Sequence, residues 1–298
     1  MKKTRVFLSI TFLGLSVSTV FYSCSKQRVT KAALNSYSPV NSYLASKEQP
    51  TQTFVIDSAG KGPIIGNQGT ELWGAKNCLL TPTGDTIGYP FTITLVELYT
   101  AKDMIYYEMP TVAGGTILET SGEIRLQAFK GTTQLALKPS QNCFEIQMPC
   151  AAPISGMDAW YGITTGGNPD WTNTPLTPFT TNATSYSTYP AMLGWINCGQ
   201  LAGSATNSTL SFTSTTDDLT NVGIFVYIPA TKTVMQAYNS ATTAIPDGSN
   251  VKIVAIGVDA SGGLHSFYQT QTITSANTVS ITLSSTTDAA LTTLLANL

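Results

Sequence analysis

Short runs of alternating apolar and polar residues recur along most of this chain, and they constrain its fold more than any other feature. In "YPFTITLVELYT" (89–100), Thr92 and Thr94 alternate with Ile93 and Leu95. A period of two is typical of a strand that has one face in a core. Similar runs follow at intervals of about ten residues, the spacing expected of a β-sandwich or barrel. The sequence therefore predicts an all-β fold.

The strand rhythm breaks between about residues 150 and 190. The segment "GITTGGNPDWTNTPLTPFTTNATSYSTYP" (162–190) is rich in Gly, Pro, Thr and Asn and has no clear periodicity. So long a loop within one compact domain is uncommon, and it indicates a domain boundary or a functional loop. We therefore predict two β-sandwich domains in tandem, at residues 51–152 and 191–298, joined by an aromatic junction at residues 153–190.

The C-terminal segment "SSTTDAALTTLLANL" (284–298) changes from the strand period to the helix period. Its leucines recur at helical spacing, at positions 291, 294, 295 and 298. Ser285 and Asp288 have the spacing of a capping box, which stabilises the first turn of a helix. The sequence predicts a short C-terminal helix that packs on a sheet.

The N-terminus has the pattern of a secretory signal peptide. A basic start, "MKKTR", precedes the uncharged apolar stretch "VFLSITFLGLSVSTVFY" (6–22), and small residues follow it. The apolar stretch is shorter than the roughly 20 residues that span a bilayer comfortably, so a permanent transmembrane anchor is the weaker interpretation. Residues 1–23 are therefore predicted to be a signal peptide.

The position of Cys24 resembles the lipobox of bacterial lipoproteins, in which the cysteine is acylated and becomes the first mature residue. Ser23 fits that pattern, whereas Phe21 and Tyr22 depart from it. The alternative is an ordinary signal peptide cut nearby. Several acyl chains on Cys24 would hold the protein at a membrane without spanning it. By the same resemblance, Ser25 favours export to the outer membrane, facing the periplasm or the cell surface.

Charge and composition exclude one class of partner and predict a linker. Removal of residues 1–23 takes away three basic residues and leaves 12 basic against 17 acidic residues, a net charge of −5. So weak and acidic a charge gives no basic surface for nucleic acid, and we predict no nucleic-acid partner. Residues 24–50 are polar, weakly periodic and end in proline, which predicts a flexible tether.

Four cysteines remain in the exported part of the chain, and their even number permits two disulfides. The candidates are Cys78, Cys143, Cys150 and Cys198. Three connectivities are possible, and our working hypothesis pairs Cys150 with Cys198 and Cys78 with Cys143. The spacings include no CxxC, and the chain has a single histidine. No metal site and no cofactor are therefore predicted.

The residues "PFTITLVELYTAKDMIYYEMPTVAGGTILETSGEIRLQAF" (90–129), followed by "GWINC" (194–198), resemble the core pattern of exported surface lipoproteins of Bacteroidota type. The first half of the chain is similar to a ZU5-like β-sandwich. The second half, around "IPDGSNVKIVAIGV" (245–258), is similar to prealbumin-type or carboxypeptidase-regulatory-like β-sandwiches. The resemblance implies a surface lipoprotein and supplies no catalytic mechanism.

Three side chains are of types that can act in catalysis, and none is predicted to be catalytic. His265 is the only histidine, and the sequence contains no G-x-S-x-G elbow to supply a nucleophile for it. Glu119 and Glu123 flank a predicted bend at glycine, where carboxylates are usually solvated and not paired as in glycosidases. A weak calcium site in a loop stays open as an alternative, with no residues assigned. The sequence predicts a protein that is not an enzyme.

The aromatic junction offers the best ligand-binding candidates. Trp and Tyr combine a broad apolar face with a hydrogen-bonding group, which suits glycan stacking and protein interfaces. The candidates are Trp171, expected to be exposed, together with Tyr186 and Tyr189. The alternative is that these aromatic residues pack between the two sandwiches, and Trp195 in "LGWINC" is expected to be a core residue.

These observations favour a non-catalytic lipoprotein of the cell envelope that acts in adhesion, assembly or ligand binding at the outer surface. Its partners are expected to be the membrane, through the N-terminal lipid, and an envelope protein or a glycan. The alternative function is a glycan-binding accessory protein of a polysaccharide-uptake system, with the junction as its site.

Overall fold

Residues 33–60, 62–74, 76–139, 142, 144–203 and 206–298 are described by the computed structural model of the chain. Residues Leu34–Leu298 form one compact unit. Strands dominate this unit and three short helices complete it, so the all-β prediction is confirmed. The predicted signal peptide, the acylation site Cys24 and the disulfide candidate Cys143 lie outside the described residues.

The strands of the first half of the chain are β1 (Gln52–Ile56), β2 (Ile64–Ile65), β3 (Glu71–Gly74), β4 (Leu79–Leu80), β5 (Phe91–Leu98), β6 (Val112–Ala113), β7 (Thr116–Lys130), β8 (Thr133–Gln134), β9 (Ala136–Leu137) and β10 (Phe144–Pro149). The middle of the chain adds β11 (Asp158–Thr165), β12 (Asn168–Thr172), β13 (Thr180–Thr181), β14 (Ser185–Thr188) and β15 (Gly194–Leu201).

The remaining strands are β16 (Asn207–Ser208), β17 (Leu210–Thr213), β18 (Gly223–Ile228), β19 (Thr233–Gln236), β20 (Ile245–Pro246), β21 (Asn250–Val258), β22 (Leu264–Thr272), β23 (Asn277–Ser280) and β24 (Ser284–Thr286). The α-helices are α1 (Asn41–Ala45), α2 (Ala101–Tyr106) and α3 (Asp288–Ala296). Helix α3 confirms the predicted C-terminal helix.

The N-terminal cap of α3 differs from the predicted one. Ser285 lies in strand β24, and the hydroxyl of Thr287 accepts a hydrogen bond from the backbone N–H of Ala290. This bond satisfies one of the N–H groups that have no partner within the first turn of a helix. Leu291 and Leu295 are buried, so the helix packs through the apolar face that its leucine spacing predicted.

Two sheets enclose the first core. The larger one has the order β1-β5-β7-β15-β11-β12, with β6 and β8 added at β7, and the smaller one has the order β13-β14-β10-β3-β2. In the register of β5 and β7, Ile93 pairs with Ala128 and Leu95 with Leu126. These side chains point into the space between the two sheets because residues two apart in a strand share a face. The pair of sheets is a β-sandwich, as the alternation predicted.

A third sheet, of order β19-β18-β21-β22-β24, covers the opposite face of the larger sheet. Between them lies a second core, to which Leu98 and Trp160 contribute from the larger sheet and Phe225 and Val254 from the third. A third core fills the other face of the third sheet, under the strand pairs β17–β23 and β16–β20. The larger sheet therefore belongs to two cores at once.

The boundaries of the elements differ from the predicted domains. The predicted junction at 153–190 contains β11, β12, β13 and β14, which extend both sheets of the first sandwich. Strand β15 lies within the predicted second domain, but it pairs with β7 in the centre of the larger sheet. The polar composition misled the prediction because these short strands lie near sheet edges, where they need few apolar residues.

The predicted flexible tether at 24–50 is wrong for its second half. Tyr37, Val40 and Leu44 are buried in the second and third cores. Asn35 forms a bridge with Asp217, and the backbone N–H of Ser38 donates to the carbonyl of Val258. Residues 34–48 are therefore part of the folded unit.

Asp217 holds this N-terminal segment in place. Its carboxylate is 2% exposed and accepts hydrogen bonds from the Tyr37 hydroxyl at 2.7 Å and the Asn35 amide at 3.1 Å. Thr216 and the backbone N–H of Leu283 donate to the other oxygen. Burial by itself raises the pKa of Asp217, but the four hydrogen bonds outweigh it and lower the pKa to about 2.

We expect Asp217→Asn to lower the free energy of unfolding by about 2 kcal/mol at pH 7, because the amide cannot accept all four hydrogen bonds. The pKa of this carboxyl is lower in the folded chain than in the unfolded one. Its contribution is therefore complete above about pH 4 and is lost as the pH falls towards 2. Urea unfolding of both proteins between pH 2 and pH 7 measures this difference. The exposed Asp85→Asn is the control. If Asp217→Asn is as stable as the parent at pH 7, or if Asp85→Asn loses as much stability, Asp217 does not hold the N-terminal segment in place.

Candidate functional site

The aromatic residues of the predicted junction are mostly buried. Trp160 and Trp171 lie in the second core, and the indole N–H of Trp171 donates to the carbonyl of Pro110 at 2.6 Å. Tyr186 is 1% exposed, and its hydroxyl accepts from the backbone N–H of Ile154. The expected exposure of Trp171 is therefore wrong, and Tyr186 is inaccessible to a ligand. The hairpin of β11 and β12 turns Trp171 inward, which a loop assignment could not foresee.

Two aromatic residues of this region keep accessible surface. Tyr189, the third binding candidate, is 40% exposed and follows β14 at the surface. Trp195 is half-buried and not a full core residue. Its ring meets Tyr107 edge-on and lies under the guanidinium of Arg125. Of the three binding candidates, the structure leaves only Tyr189 open to solvent.

The two carboxylates considered for catalysis lie within the long strand β7 and do not flank a bend. The strand continues through Gly122, whose φ is +132° and whose hydrogen faces the Tyr99 ring, where a Cβ would lie 2.2 Å away. Glu119 accepts a hydrogen bond from Gln200 of the neighbouring strand. Glycine here allows a close approach of a tyrosine and does not reverse the chain.

Glu123 is fully buried and incompletely paired. One carboxyl oxygen accepts from the Asn197 amide at 3.0 Å, and the other has no hydrogen-bond partner among the described residues. Burial raises the pKa of Glu123 well above its usual value, and the bond from Asn197 opposes this only in part. Burial at this position therefore favours the protonated carboxylic acid over the carboxylate.

We expect Glu123→Gln to raise the free energy of unfolding at pH 8 by about 1–2 kcal/mol. In the unfolded chain Glu123 ionises near pH 4.3, whereas in the folded chain its pKa lies higher, so stability falls as the pH rises above the unfolded value. The neutral amide removes this loss. Urea unfolding at pH 4 and pH 8 should show the gain at pH 8 alone. If Glu123→Gln is less stable than the parent at pH 8, Glu123 is charged in the folded chain. Glu119→Gln, at a half-buried position of the same strand, is the control.

His265 lies on β22 and is held by one acidic neighbour. Its Nε2 lies 3.0 Å from a carboxylate oxygen of Asp259, and Tyr37 meets the imidazole edge-on. Ser261 and the backbone N–H of Gly263 donate to the other oxygen of Asp259. In the described part of the chain, the imidazole makes no further hydrogen bond. The arrangement fixes the turn between β21 and β22 and supplies no nucleophile.

The cysteines do not follow the predicted pairing. Cys150 and Cys198 are free thiols, so the predicted bridge between them is wrong. Cys198 is buried in the first core. This burial raises the pKa of its thiol well above the usual value, and the neighbouring Cys150 raises it further. Cys78 is disulfide-bonded. Its predicted partner Cys143 lies outside the described residues, so the Cys78–Cys143 pairing stays a prediction.

An apolar cleft opens between the two sheets of the first sandwich, at the side where β1 and β2 are the outermost strands. Its volume is about 510 Å³. Ile56, Ile64 and Leu72 form its floor, and Trp73 and Tyr89 stand at its side. The glycine-rich turn after β1 contributes Ser58, Ala59, Gly60, Gly62 and Pro63 to the lining. A large apolar cavity with few polar groups is the usual form of a ligand site.

Unpaired strand edges border this cleft. Within the described residues, β1 pairs only with β5, and β2 pairs only with β3. Each strand therefore has a row of backbone N–H and C=O groups on its outer side, which can pair with another strand. Val55 and Ile65, on these two strands, are 66% and 58% exposed. Exposed β-branched residues on an open edge are unusual for a surface that contacts only water.

A second cavity, of about 520 Å³, is polar and lies near α1 and the loop after β19. Its carboxylate Glu108 is already occupied, since it accepts hydrogen bonds from both Asn41 and Gln236. Asp218, also in its lining, accepts from the hydroxyl and the backbone N–H of Thr220. Because these groups bind one another, the apolar cleft is the better candidate site.

The cleft was missed at the sequence level because its lining comes from four separate segments between residues 55 and 144. The described residues contain no group of three or more His, Cys, Asp or Glu that could hold a metal ion. None of the helices in this part of the chain has the length and hydropathy needed to cross a membrane. No family model, curated protein or solved structure matches the chain. The resemblance to ZU5-like and prealbumin-like sandwiches stays a prediction.

Proposed function

We propose that this protein is a non-catalytic lipoprotein of the cell envelope, anchored through Cys24, that captures an extended apolar strand of a partner protein. The observation that carries this proposal is the apolar cleft of about 510 Å³ between the two unpaired sheet edges β1 and β2. The envelope location rests on the N-terminal sequence alone, and the strand-binding role rests on the cleft.

The cleft suits a strand better than it suits a compact small molecule. An incoming strand pairs its backbone with an open edge, and this pairing supplies affinity without regard to sequence. Every second side chain of the strand then points into the cleft, where each apolar side chain contributes roughly 1.5–3 kcal/mol when fully buried. The apolar floor of Ile56, Ile64 and Leu72 favours Val, Ile or Leu at those positions.

The chemistry of the site also argues for binding without turnover. Among the residues that the structure describes, the cleft lining contains the hydroxyls of Ser58 and Tyr89 but no carboxylate, imidazole or thiol. A nucleophile without an adjacent base is weak at neutral pH. Assembly or adhesion is therefore the form of envelope function that this site supports best.

The test uses a fluorescein-labelled synthetic peptide of eight residues that alternates Ile or Val with Thr or Lys. We expect the full chain to bind this peptide and raise its fluorescence anisotropy. Ala59→Trp places a large ring in the cleft at an exposed position, and we expect it to weaken binding about tenfold or more. Ala289→Trp, exposed on α3, is the matched control and should bind as the parent does.

A second peptide tests the backbone pairing. It has the same side chains, but its polar positions are N-methylated, which removes the N–H groups that pair with an edge. We expect the parent protein to bind this N-methylated peptide no more tightly than the Ala59→Trp variant binds the unmodified peptide. Equal binding of the two peptides, or unchanged binding by Ala59→Trp, would refute strand capture at the cleft.

A further inference from the structure

The outer face of the smaller sheet of the first sandwich carries a row of three side chains that no core uses. Trp73 on β3 pairs in register with Glu145 on β10, and Tyr189 continues β14 on the other side of Glu145. Leu72, Phe144 and Ile146 point to the first core, so Trp73 and Glu145 point to the outer side. We define Trp73, Glu145 and Tyr189 as the aromatic platform.

Both aromatic rings of the platform are accessible. Trp73 is 43% exposed and Tyr189 is 40% exposed. Neighbouring strands lie about 4.8 Å apart, so side chains two strands apart stand about 10 Å from each other. This separation matches the length of one disaccharide unit in an extended glycan chain. The spacing of the strands thus places Trp73 and Tyr189 about one disaccharide unit apart.

Polar groups between the rings are fixed by hydrogen bonds. The Glu145 carboxylate accepts from the Gln147 amide at 3.1 Å, from the Ser187 hydroxyl, and from the Tyr189 hydroxyl at 3.3 Å. These bonds hold the carboxylate in one orientation between the rings. An oriented carboxylate accepts hydrogen bonds from sugar hydroxyls, and the aromatic faces cover the apolar C–H face of a sugar ring.

We propose that the aromatic platform binds an extended, β-linked glycan chain, with Trp73 and Tyr189 as stacking residues and Glu145 as the hydrogen-bond acceptor. An extended β-linked chain can contact both rings, whereas a helical α-linked chain meets only one ring at a time. The platform departs from the predicted junction site, of which it retains only Tyr189. Trp73 also borders the cleft, whereas Glu145 and Tyr189 do not line it, so these two residues separate the platform from strand capture.

The test measures binding of cellohexaose, a β-1,4-linked glucan hexamer, to the full chain by isothermal titration calorimetry. Maltohexaose, the α-1,4-linked hexamer of the same sugar, is the matched ligand control. We expect cellohexaose to bind and maltohexaose to bind at least about tenfold more weakly. Tyr189→Ala should weaken cellohexaose binding about tenfold, and Tyr189→Phe, which keeps the stacking face, should lose less than about threefold.

Glu145→Gln tests the acceptor separately, and we expect it to weaken cellohexaose binding because an amide is a poorer acceptor than a carboxylate. Thermal unfolding of each variant shows whether the fold is intact, which we expect at the exposed Tyr189 and the half-buried Glu145. Absence of cellohexaose binding at about 10 mM, equal affinity for both hexamers, or unchanged affinity of Tyr189→Ala would overturn the proposal. Tyr189→Ala, which lies outside the cleft, should bind the strand peptide as the parent does, so the two proposals fail separately.

Discussion

The pairing of β7 with β5 on one side and β15 on the other is the constraint on which the rest of the structure depends. Strand β7 is 15 residues long, and its two faces belong to different cores. Ile124 and Leu126 face the first core, while Leu118, nearer the start of the strand, packs in the second. A sheet that is apolar on both faces must be covered on both. The smaller sheet covers one side, and the third sheet with the helices covers the other.

The same constraint explains where the exposed sites lie. Strands in the middle of the larger sheet have both neighbours and both faces occupied, so they offer nothing to a partner. Binding surfaces therefore lie at the periphery, which includes the edges β1 and β2 and the outer face of the smaller sheet. The apolar cleft and the aromatic platform lie at these two places. Strands supply most of the apolar side chains of the cleft and two of the three platform residues, and strands hold side chains more rigidly than loops do.

Local patterns in the sequence predicted the strands and the C-terminal helix, because alternation and leucine spacing report burial directly. The same patterns could not predict pairing between distant strands. Strand β15 follows a polar segment in the chain, yet it pairs with β7 some 70 residues earlier. The burial of Trp171 was missed for the same reason. Its indole N–H donates to the carbonyl of Pro110, about 60 residues earlier in the chain, and no local pattern reports that contact. Both sites join residues from separate segments, so no local motif marks them.

The central claim is that one shared sheet makes residues 34–298 a single cooperative unit. The most direct measurement is hydrogen exchange of the full chain at increasing urea concentration, read by mass spectrometry for peptides from β10 and from β21. These strands belong to the outer sheets on opposite sides of β7. A cooperative unit predicts that their exchange merges into one unfolding step, with free energies that agree within about 0.5 kcal/mol. Separate steps, with β21 opening while β10 stays protected, would show two independent domains and contradict the account.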